Sequence, residues 1–285
     1  MDQKTIVKAV TDLPTPSAVY RRICEVMEDP DCSVSDISEV LRLDPAISGK
    51  VLRLANSAYT GIPNTVSSLH NAIVLLGTKK IHSLVISSGL LSVFKNRKIA
   101  SFSLEQFWKH SVTVALISES IARHLKRYDS VDENEAFSGA ILHDIGKLVI
   151  GYYYPNLLNL SYEKSIREKI AFFEAEEDQM SHFKIGEMLA EYWSFPPELK
   201  AVISFHHSPD KAQEHLNLIS IVHVSDVMVH LLGCPIMAGE IEPHINEIAL
   251  KAIALPPERL RVIAENAIDD RKRLETILQM FSSEQ

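Results

Sequence analysis

The sequence has little of the residue types that organise disulfide-rich or loop-rich domains. It contains 3 cysteines, 10 glycines and 13 prolines in 285 residues. Three cysteines without a Cys-x-x-Cys pair exclude a disulfide framework and a thiolate zinc site as the main organiser, and they favour a reducing cytoplasm. The low glycine and proline content argues against a loop-rich all-β architecture and against low-complexity disorder.

Long apolar runs are also absent. No apolar stretch approaches the roughly 20 residues that a bilayer crossing requires, and the first residues lack the apolar core of a signal peptide. We therefore expect a cytoplasmic protein without a membrane partner. The net charge is −8, from 29 basic and 37 acidic residues, which argues against nucleic acid as a partner.

The charge is unevenly distributed along the chain. No acidic residue lies between Asp44 and Glu105, whereas this interval contains Lys50, Arg53, Lys79, Lys80, Lys95, Arg97 and Lys98. Two interpretations remain open for this basic interval. It is either a solvated face of the protein or a surface for an anionic partner.

Helix signals run along almost the whole chain. Ser33 predicts an N-cap, Asp44-Pro45 predicts a cap followed by the first residue of a helix, and Ser68 and Gly77 bracket a short helix. Apolar residues at helical spacing predict a long helix from Leu104 to about Tyr128. Further helices are predicted at 155–177, 180–193, 197–205 and 214–232 and after Pro256-Pro257.

No alternating apolar pattern predicts a strand, so the expected fold is all-α. The polar residues around 101–103 predict a junction between an amino-terminal helical subdomain, residues 1–100, and a second helical half, residues 101–285. Short gaps between the predicted helices are typical of a bundle.

Twelve histidines are many for a chain of this length. His143 and Asp144 are adjacent, and adjacent residues on a helix point about 100° apart, so both reach one ion only where the backbone bends. Gly146 permits such a bend. Other candidate ligands lie on separate helical segments: His110, His182, His206, His207 and Asp226.

Imidazole and carboxylate ligands from several helices are typical of a buried metal site in a helical bundle. They suit iron, manganese, zinc, cobalt and nickel, and the lack of a thiolate favours iron or manganese. We therefore predict that this set of residues holds one or two divalent transition-metal ions. The alternative for any single histidine is a surface residue or a hydrogen-bonded core group, and we interpret five in this way: His70, His82, His124, His215 and His244.

Two further histidines, His223 and His230, lie three and four residues from Asp226 on one helix. We expect each to form a local hydrogen bond with Asp226. A supporting role for one of them beside the metal ligands is the alternative.

The ligand set resembles that of a known superfamily. His110, His143-Asp144 and Asp226 resemble the HD superfamily of metal-dependent phosphohydrolases. Three further features are similar to its HD-GYP branch: Gly146-Lys147 after the His-Asp pair, His182 followed by Gly186, and His206-His207. Other stretches resemble the bacterial HDOD family (HD-related output domain) over about residues 8–235: Leu13–Pro16, Asp44–Ile47, Leu52–Ser57, Ala72–Gly77 and Trp193–Pro196.

The resemblance implies an HD-domain-like helical bundle with an amino-terminal helical subdomain. Two departures from the HD-GYP pattern matter. Ser208-Pro209-Asp210-Lys211 stands where those enzymes have a Gly-Tyr-Pro loop, and Gln106 stands where they often have a metal-binding glutamate. Conversely, most HDOD domains have lost the HD residues and are thought to be non-catalytic signalling modules, whereas this chain keeps them.

The resemblance thus implies two functions. The first is a signal-transduction output protein with a metal site that acts mainly through a signalling protein partner. The alternative is a metal-dependent phosphodiesterase or phosphohydrolase acting on a nucleotide or cyclic dinucleotide. In the enzyme, Asp144 would bridge two ions that lower the pKa of a bound water, and Lys147 would contact a phosphate oxygen; a surface position for Lys147 is the alternative. A third, weaker alternative is an adaptor with a structural metal or none.

Overall fold

The computed structural model describes residues 18–27, 29, 31–57, 60, 65–94, 102–125, 131–176, 180–193, 195–269 and 271–281. Within these ranges every regular element is helical, which confirms the all-α prediction. The chain divides into two compact units. The first unit contains the described residues between 14 and 95 and those after 270, and the second contains the described residues from 102 to 269. The division of function between residues 1–100 and 101–285 stays a prediction.

Six helices form the described part of the first unit. They are α1 (Ala18–Met27), α2 (Val34–Leu41), α3 (Pro45–Ala55), α4 (Leu69–Leu76), α5 (Thr78–Phe94) and α16 (Arg271–Phe281). The stretch Leu13–Pro16 lies outside the described residues.

The predicted caps of the first unit are present. The Ser33 hydroxyl accepts a hydrogen bond from the Asp36 backbone N–H at the start of α2, and Asp36 accepts in return from the Ser33 N–H. The Asp44 carboxylate accepts from two backbone N–H groups in the first turn of α3, in which Pro45 is the first residue. Ser68 begins α4, and Gly77 ends it with φ 83°. Local hydrogen bonds therefore determine where these helices begin and end.

The basic interval is only partly a solvated face. Lys79 is exposed, but Lys80 is 3% exposed, so the interpretation as a solvated face is wrong for Lys80. The ammonium group of Lys50 donates to the Ser88 hydroxyl at 3.1 Å. Lys95, Arg97 and Lys98 lie outside the described residues.

The second unit contains ten α-helices within its described residues. They are α6 (Leu104–Leu125), α7 (Glu133–Leu142), α8 (Ile145–Tyr153), α9 (Pro155–Glu168), α10 (Phe172–Ala175), α11 (His182–Tyr192), α12 (Pro197–Phe205), α13 (Leu216–Leu231), α14 (Glu247–Ile253) and α15 (Pro257–Asp269). Helices α6 and α13 are buried along most of their length and form the centre of this unit.

Two parts of the second unit differ from the sequence prediction: one predicted helix is divided, and one helix was not predicted. The helix predicted at 155–177 is divided into α9 and α10, because Lys169 takes a left-handed conformation with φ 55° and ends α9. Helix α14 was not predicted, and Asn246 caps it by accepting from the Ile248 N–H.

The bend at the His-Asp pair is present, but its cause differs from the expectation. Helix α7 ends at Leu142 and α8 begins at Ile145, so His143 and Asp144 form the break itself. Gly146 lies within α8 with an ordinary φ, and a Cβ atom there would fall 1.8 Å from the His182 carbonyl oxygen. Gly146 is therefore required for the close approach of α8 and α11 and not for the bend.

Candidate metal centre

The seven predicted metal ligands come together inside the second unit. His110 lies on α6, the His143-Asp144 pair lies between α7 and α8, and Asp226 lies on α13. His182 is the first residue of α11, and His206 and His207 follow α12. The side chains of all seven are 0–7% exposed. The seven residues form two groups, each with ligand atoms within 4.8 Å of one another.

The first group contains Asp144, His182, His206 and His207. The Oδ1 atom of Asp144 lies 3.2 Å from His182 Nε2 and 3.6 Å from His206 Nε2. His207 Nε2 lies 3.1 Å from His182 Nε2, and its ring stacks on Phe173 with 4.3 Å between centroids.

The second group contains His110, His143 and Asp226. The Oδ1 atom of Asp226 lies 3.2 Å from His110 Nε2 and 3.9 Å from His143 Nε2. The other oxygen of Asp144, Oδ2, lies 3.7 Å from His110 Nε2 and 3.3 Å from His143 Nε2. Asp144 therefore points one oxygen at each group, which is the arrangement of a carboxylate that bridges two cations.

Hydrogen bonds orient four of the imidazole rings. A metal-binding histidine usually donates from one ring nitrogen to a fixed acceptor, which leaves the lone pair of the other nitrogen for the ion. His110, His143 and His206 each place Nδ1 against a backbone carbonyl: Cys234 O at 3.1 Å, Ala140 O at 2.6 Å and Val202 O at 3.1 Å. His182 Nδ1 lies 2.6 Å from Glu176 Oε2. These bonds assign the Nε2 atoms of the four rings to the centre of the cluster.

Several buried polar atoms of the cluster have no hydrogen-bond partner. They are His110 Nε2, His143 Nε2, Asp144 Oδ1, His207 Nδ1 and Asp226 Oδ1. An unsatisfied buried polar atom costs about 1–3 kcal/mol, so five in one place form an unstable arrangement without a further partner. Imidazole lone pairs and carboxylate oxygens repel each other, and a cation among them removes this repulsion. The donor set therefore fits a divalent metal.

The charges of the cluster lead to the same conclusion. Four buried carboxylates belong to it: Asp144, Asp226, Glu176 and Glu240. Burial raises the pKa of Asp144, but Lys147 and His143 outweigh burial and hold that pKa well below its usual value. Burial likewise raises the pKa of Asp226, but His230 and His110 hold it well below its usual value.

Two cations oppose these carboxylates. Lys147 Nζ lies 2.9 Å from Asp144 Oδ2, and Asp144 and Glu240 raise the pKa of Lys147 against the effect of burial. Burial lowers the pKa of His230, but Asp226 and Glu240 outweigh burial and raise it to about 11. Four carboxylates and two cations leave a net charge of −2 when the other rings are neutral. In this form, which is the one that binds a metal, one divalent ion would balance the cluster, whereas without a metal the raised pKa values of His143 and His182 allow protons to take that role.

The rings of His206 and His207 are neutral, which is the form that binds a metal. Burial lowers the pKa of His206 to about 4. Burial and the neighbouring His206 hold the pKa of His207 well below its usual value. For His182, burial lowers the pKa, but the Glu176 carboxylate outweighs it and raises the pKa to about 9.

The position of Lys147 decides between the two alternatives given for it. Its side chain is 4% exposed, so the surface alternative is wrong. The ammonium group contacts Asp144 and lies 5.2 Å above the Phe172 ring centroid. It therefore adjoins the predicted metal ligands directly.

The structure corrects the expectation for one supporting histidine. His230 forms the expected local bond: its Nδ1–H donates to the Asp226 backbone carbonyl at 3.0 Å and lies 3.5 Å from Asp226 Oδ1. His223 does not bond to Asp226: its Nδ1–H donates to the His206 carbonyl at 2.7 Å, and its Nε2 accepts from the Asn246 N–H at 2.9 Å. His223 therefore fixes the backbone that carries the double histidine.

Two carboxylates of the cluster, Glu176 and Glu240, were not singled out from the sequence. Each lies in an irregular segment without a recognisable motif, so no sequence signal indicated it. Gln106, by contrast, is exposed, and its side-chain oxygen accepts from the Ser103 N–H at the start of α6. Of the other histidines, His82 is buried, whereas four are exposed: His70, His124, His215 and His244.

The chain matches the model of the HDOD domain family over residues 13–209 and belongs to that family. An uncharacterised protein of Treponema pallidum (strain Nichols) is 24% identical over 233 residues, which is 80% of this chain and 44% of that protein. The chain thus spans less than half the length of this relative. No described helix combines the length and apolarity needed to cross a membrane.

Two solved structures have the same fold. A candidate phosphohydrolase from Shewanella amazonensis SB2B is 26% identical, with a TM-score of 0.73 over 97% of this chain and 98% of that chain. A candidate signal-transduction protein from Marinobacter aquaeolei VT8 is 19% identical, with a TM-score of 0.76 over 95% of this chain and 60% of that chain. These similarities confirm the predicted HD-type helical architecture.

Proposed function

We propose that this HDOD protein is a cytoplasmic signal-transduction output protein whose second unit holds one or two divalent transition-metal ions. His110, His143 and Asp226 would hold one ion. Asp144, His182, His206 and His207 would hold the other, with Asp144 shared between the two. The protein would act mainly by binding a signalling protein partner. Iron and manganese suit the nitrogen and oxygen donors best, and zinc, nickel and cobalt are the alternatives.

One observation is the main support for the proposed metal site. Five buried polar atoms without hydrogen-bond partners meet within a cluster whose imidazole rings are already oriented by outward hydrogen bonds. If these side chains were ordinary hydrogen-bonded core residues, the five atoms would have hydrogen-bond partners within the protein.

Two observations favour protein interaction over catalysis as the main activity. Lys147, the residue expected to contact phosphate, is already paired with Asp144 and with Glu240. The ligand side chains are almost completely buried, so a substrate would need the surrounding residues to move. The solved structure of the Marinobacter protein, named for signal transduction, supports the same assignment.

Metal analysis of the purified protein tests this proposal. We expect about one or two transition-metal ions per chain, and loss of at least one ion in His110→Ala. His124→Ala is the matched control, because His124 lies on the same helix but is exposed. Its metal content should equal that of the wild type. Wild-type protein that remains metal-free after incubation with iron or manganese would contradict the proposal.

A second candidate function is a metal-dependent phosphohydrolase. The observation that favours it is the position of Asp144 between two ligand groups, with the Lys147 ammonium group beside it. A divalent ion supplies Lewis-acid activation of water and of a phosphoryl oxygen. In this chain Asp144 would orient the ions, Lys147 would offset charge on a phosphate oxygen, and Glu176 would hold His182 in its orientation. A nucleotide or a cyclic dinucleotide is the expected substrate class.

Hydrolysis of bis(p-nitrophenyl) phosphate tests this second function. We expect turnover only with manganese or iron and complete loss in His143→Ala. Activity that survives in His143→Ala would come from a contaminant and would contradict the assignment. No turnover by wild-type protein with bound metal would leave protein interaction as the function.

A further inference from the structure

The segment between α13 and α14, residues 232–246, contacts His110, Lys147 and His230 of the candidate metal centre, and we name it the cover segment. It has no regular helix over 15 residues. Loops longer than about 12–15 residues are uncommon in compact domains and frequently act as lids or binding loops. The contacts of this cover segment indicate what it does.

Two hydrogen bonds and two buried side chains hold the cover segment in place. The Cys234 carbonyl accepts from His110 Nδ1–H at 3.1 Å, and the Tyr162 hydroxyl donates to the Ala238 carbonyl. Ile236 and Met237 are buried at 1% and 4% exposure. The segment therefore packs against His110, one of the predicted metal ligands.

The cover segment places the Glu240 carboxylate near both cations of the site, Lys147 and His230. Glu240 Oε1 lies 3.9 Å from Lys147 Nζ, and Glu240 Oε2 lies 3.8 Å from His230 Nε2. The side chain is 2% exposed. Glu240 Oε2 also accepts from the Met237 backbone N–H at 3.3 Å, which closes the turn that carries it.

A carboxylate and a phosphoryl group make similar demands on a site, because both present negatively charged oxygens to a buried ammonium group. An anion beside Lys147, whose ammonium group also contacts the predicted shared ligand Asp144, therefore stands where a phosphoryl oxygen would bind. Two anions cannot share this position without strong repulsion in a buried environment. Entry of a phosphoryl group therefore requires that Glu240 leave.

The backbone of the cover segment permits this movement. Gly233 and Gly239 have φ angles of 76° and 84°, and they stand on either side of residues 234–238. These left-handed conformations favour glycine. A change of backbone angle at Gly239, which directly precedes Glu240, would turn Glu240 away from Lys147, and a change at Gly233 would release residues 234–238 with it.

We propose that Glu240 is an internal anionic occupant of a phosphoryl-binding subsite at Lys147, and that a phosphate or phosphoester ligand binds by displacing Glu240 and residues 234–238. The inference rests on the proposed function, because the subsite adjoins the metal ligand Asp144. It adds a regulatory residue, Glu240: the cover segment keeps the site closed until a phosphate or phosphoester is present.

Binding of inorganic phosphate to the metal-loaded full chain, measured by isothermal titration calorimetry, tests the proposal. We expect Glu240→Gln to bind phosphate at least about tenfold more tightly than the wild type, because the competing charge is removed while the shape is kept. Glu242→Gln is the matched control, because Glu242 lies in the same segment but is exposed. Its affinity for phosphate should equal that of the wild type.

A second measurement uses the wild-type chain alone, in case Glu240→Gln does not fold. Saturating phosphate should raise the rate at which iodoacetamide alkylates Cys234, as followed by peptide mass spectrometry. Cys32, which lies in the first unit, is the internal reference, and its rate should not change.

The outcomes separate the inference from the proposed function. Equal phosphate affinity in wild type and Glu240→Gln at equal metal content would overturn the inference and leave the metal site intact. Where Glu240→Gln does not fold, an unchanged rate at Cys234 would overturn it. Absence of metal from every variant would contradict the proposed function, whereas the comparison of phosphate affinities would still test the role of Glu240.

Discussion

The two units of the protein consist of similar helices but bury different side chains. Among its described residues, the first unit buries two ionisable side chains, Lys80 and His82. The described part of the second unit buries nine as whole residues, and the side chains of Glu176, His207, His230 and Glu240 are also only 2–7% exposed. The nine are His110, Glu119, His143, Asp144, Lys147, His182, His206, His223 and Asp226. Burial of so many charged or titratable groups is costly, and proteins retain it where the groups bind an ion or a ligand. The comparison supports the prediction that the chemistry lies in the second unit.

The two units also differ in how closely a neighbouring helix approaches a glycine. A Cβ atom on Gly146 in the second unit would fall 1.8 Å from a backbone oxygen of α11, whereas a Cβ atom on Gly49 in α3 of the first unit would meet no atom within 4 Å. Helix contact in the second unit therefore depends on a missing side chain, and the position of His182 depends on that contact.

The largest predicted effect concerns this pair of glycines. Gly146→Ala should lower the free energy of unfolding by about 4 kcal/mol and release metal, because α11 must move away from α8. Gly49→Ala should leave the metal content unchanged and stabilise the protein by about 0.5–1 kcal/mol, since alanine favours a helix interior. Urea unfolding and metal analysis of both variants test the difference. A Gly146→Ala protein with wild-type stability and metal content would show that the close approach is not required.

A smaller effect is predicted for the buried histidine of the first unit. Burial lowers the pKa of His82 to about 4 from 6.5. The unfolded chain therefore binds more protons between these two values, so stability is present above pH 6.5 and is lost as the pH falls towards 4. Between pH 7 and pH 5 this group should lower the free energy of unfolding by about 2 kcal/mol.

His82→Leu isolates this group. The loss of stability between pH 7 and pH 5 should be about 2 kcal/mol smaller in His82→Leu than in the wild type, by urea unfolding at the two pH values. Identical pH dependence of the two proteins would contradict the assignment of a neutral buried ring. The metal content at pH 7 should be unaffected, because His82 lies in the first unit.

The smallest predicted effect concerns a helix cap of the first unit. Asp44→Ala removes the acceptor of two backbone N–H groups at the start of α3 and should cost about 1 kcal/mol. Asp44→Asn should recover most of this loss, because the amide oxygen still accepts. If the two variants were equally stable in urea unfolding, the cap would not contribute as described.

Most of the first unit could be predicted from sequence because its helix boundaries depend on neighbouring residues. Ser33, Asp44 and Ser68 bond to backbone groups two or three positions away, and such signals are present in the sequence itself. In the second unit, by contrast, the division of α9 from α10 at Lys169 was missed, because a lysine in the left-handed conformation gives no sequence signal comparable to glycine.

The second unit required information that the local pattern does not contain. The resemblance to HD proteins indicated the ligand residues, and the structure brings them within a few ångströms of one another. Their role as metal ligands stays a prediction. Glu176 and Glu240 were missed, because their contacts with His182 and Lys147 depend on the packing of irregular segments far apart in the chain. Gly146 was assigned to a bend for the same reason, because its close contact with the His182 carbonyl oxygen depends on the packing of α8 against α11.

X-ray absorption spectroscopy at the edge of the bound metal in purified full-length protein tests the central claim most directly. The account predicts a coordination sphere of imidazole nitrogen and carboxylate oxygen without sulfur, which changes in His110→Ala and is unchanged in His124→Ala. A sphere that contains sulfur, or one that His110→Ala leaves unchanged, would contradict it.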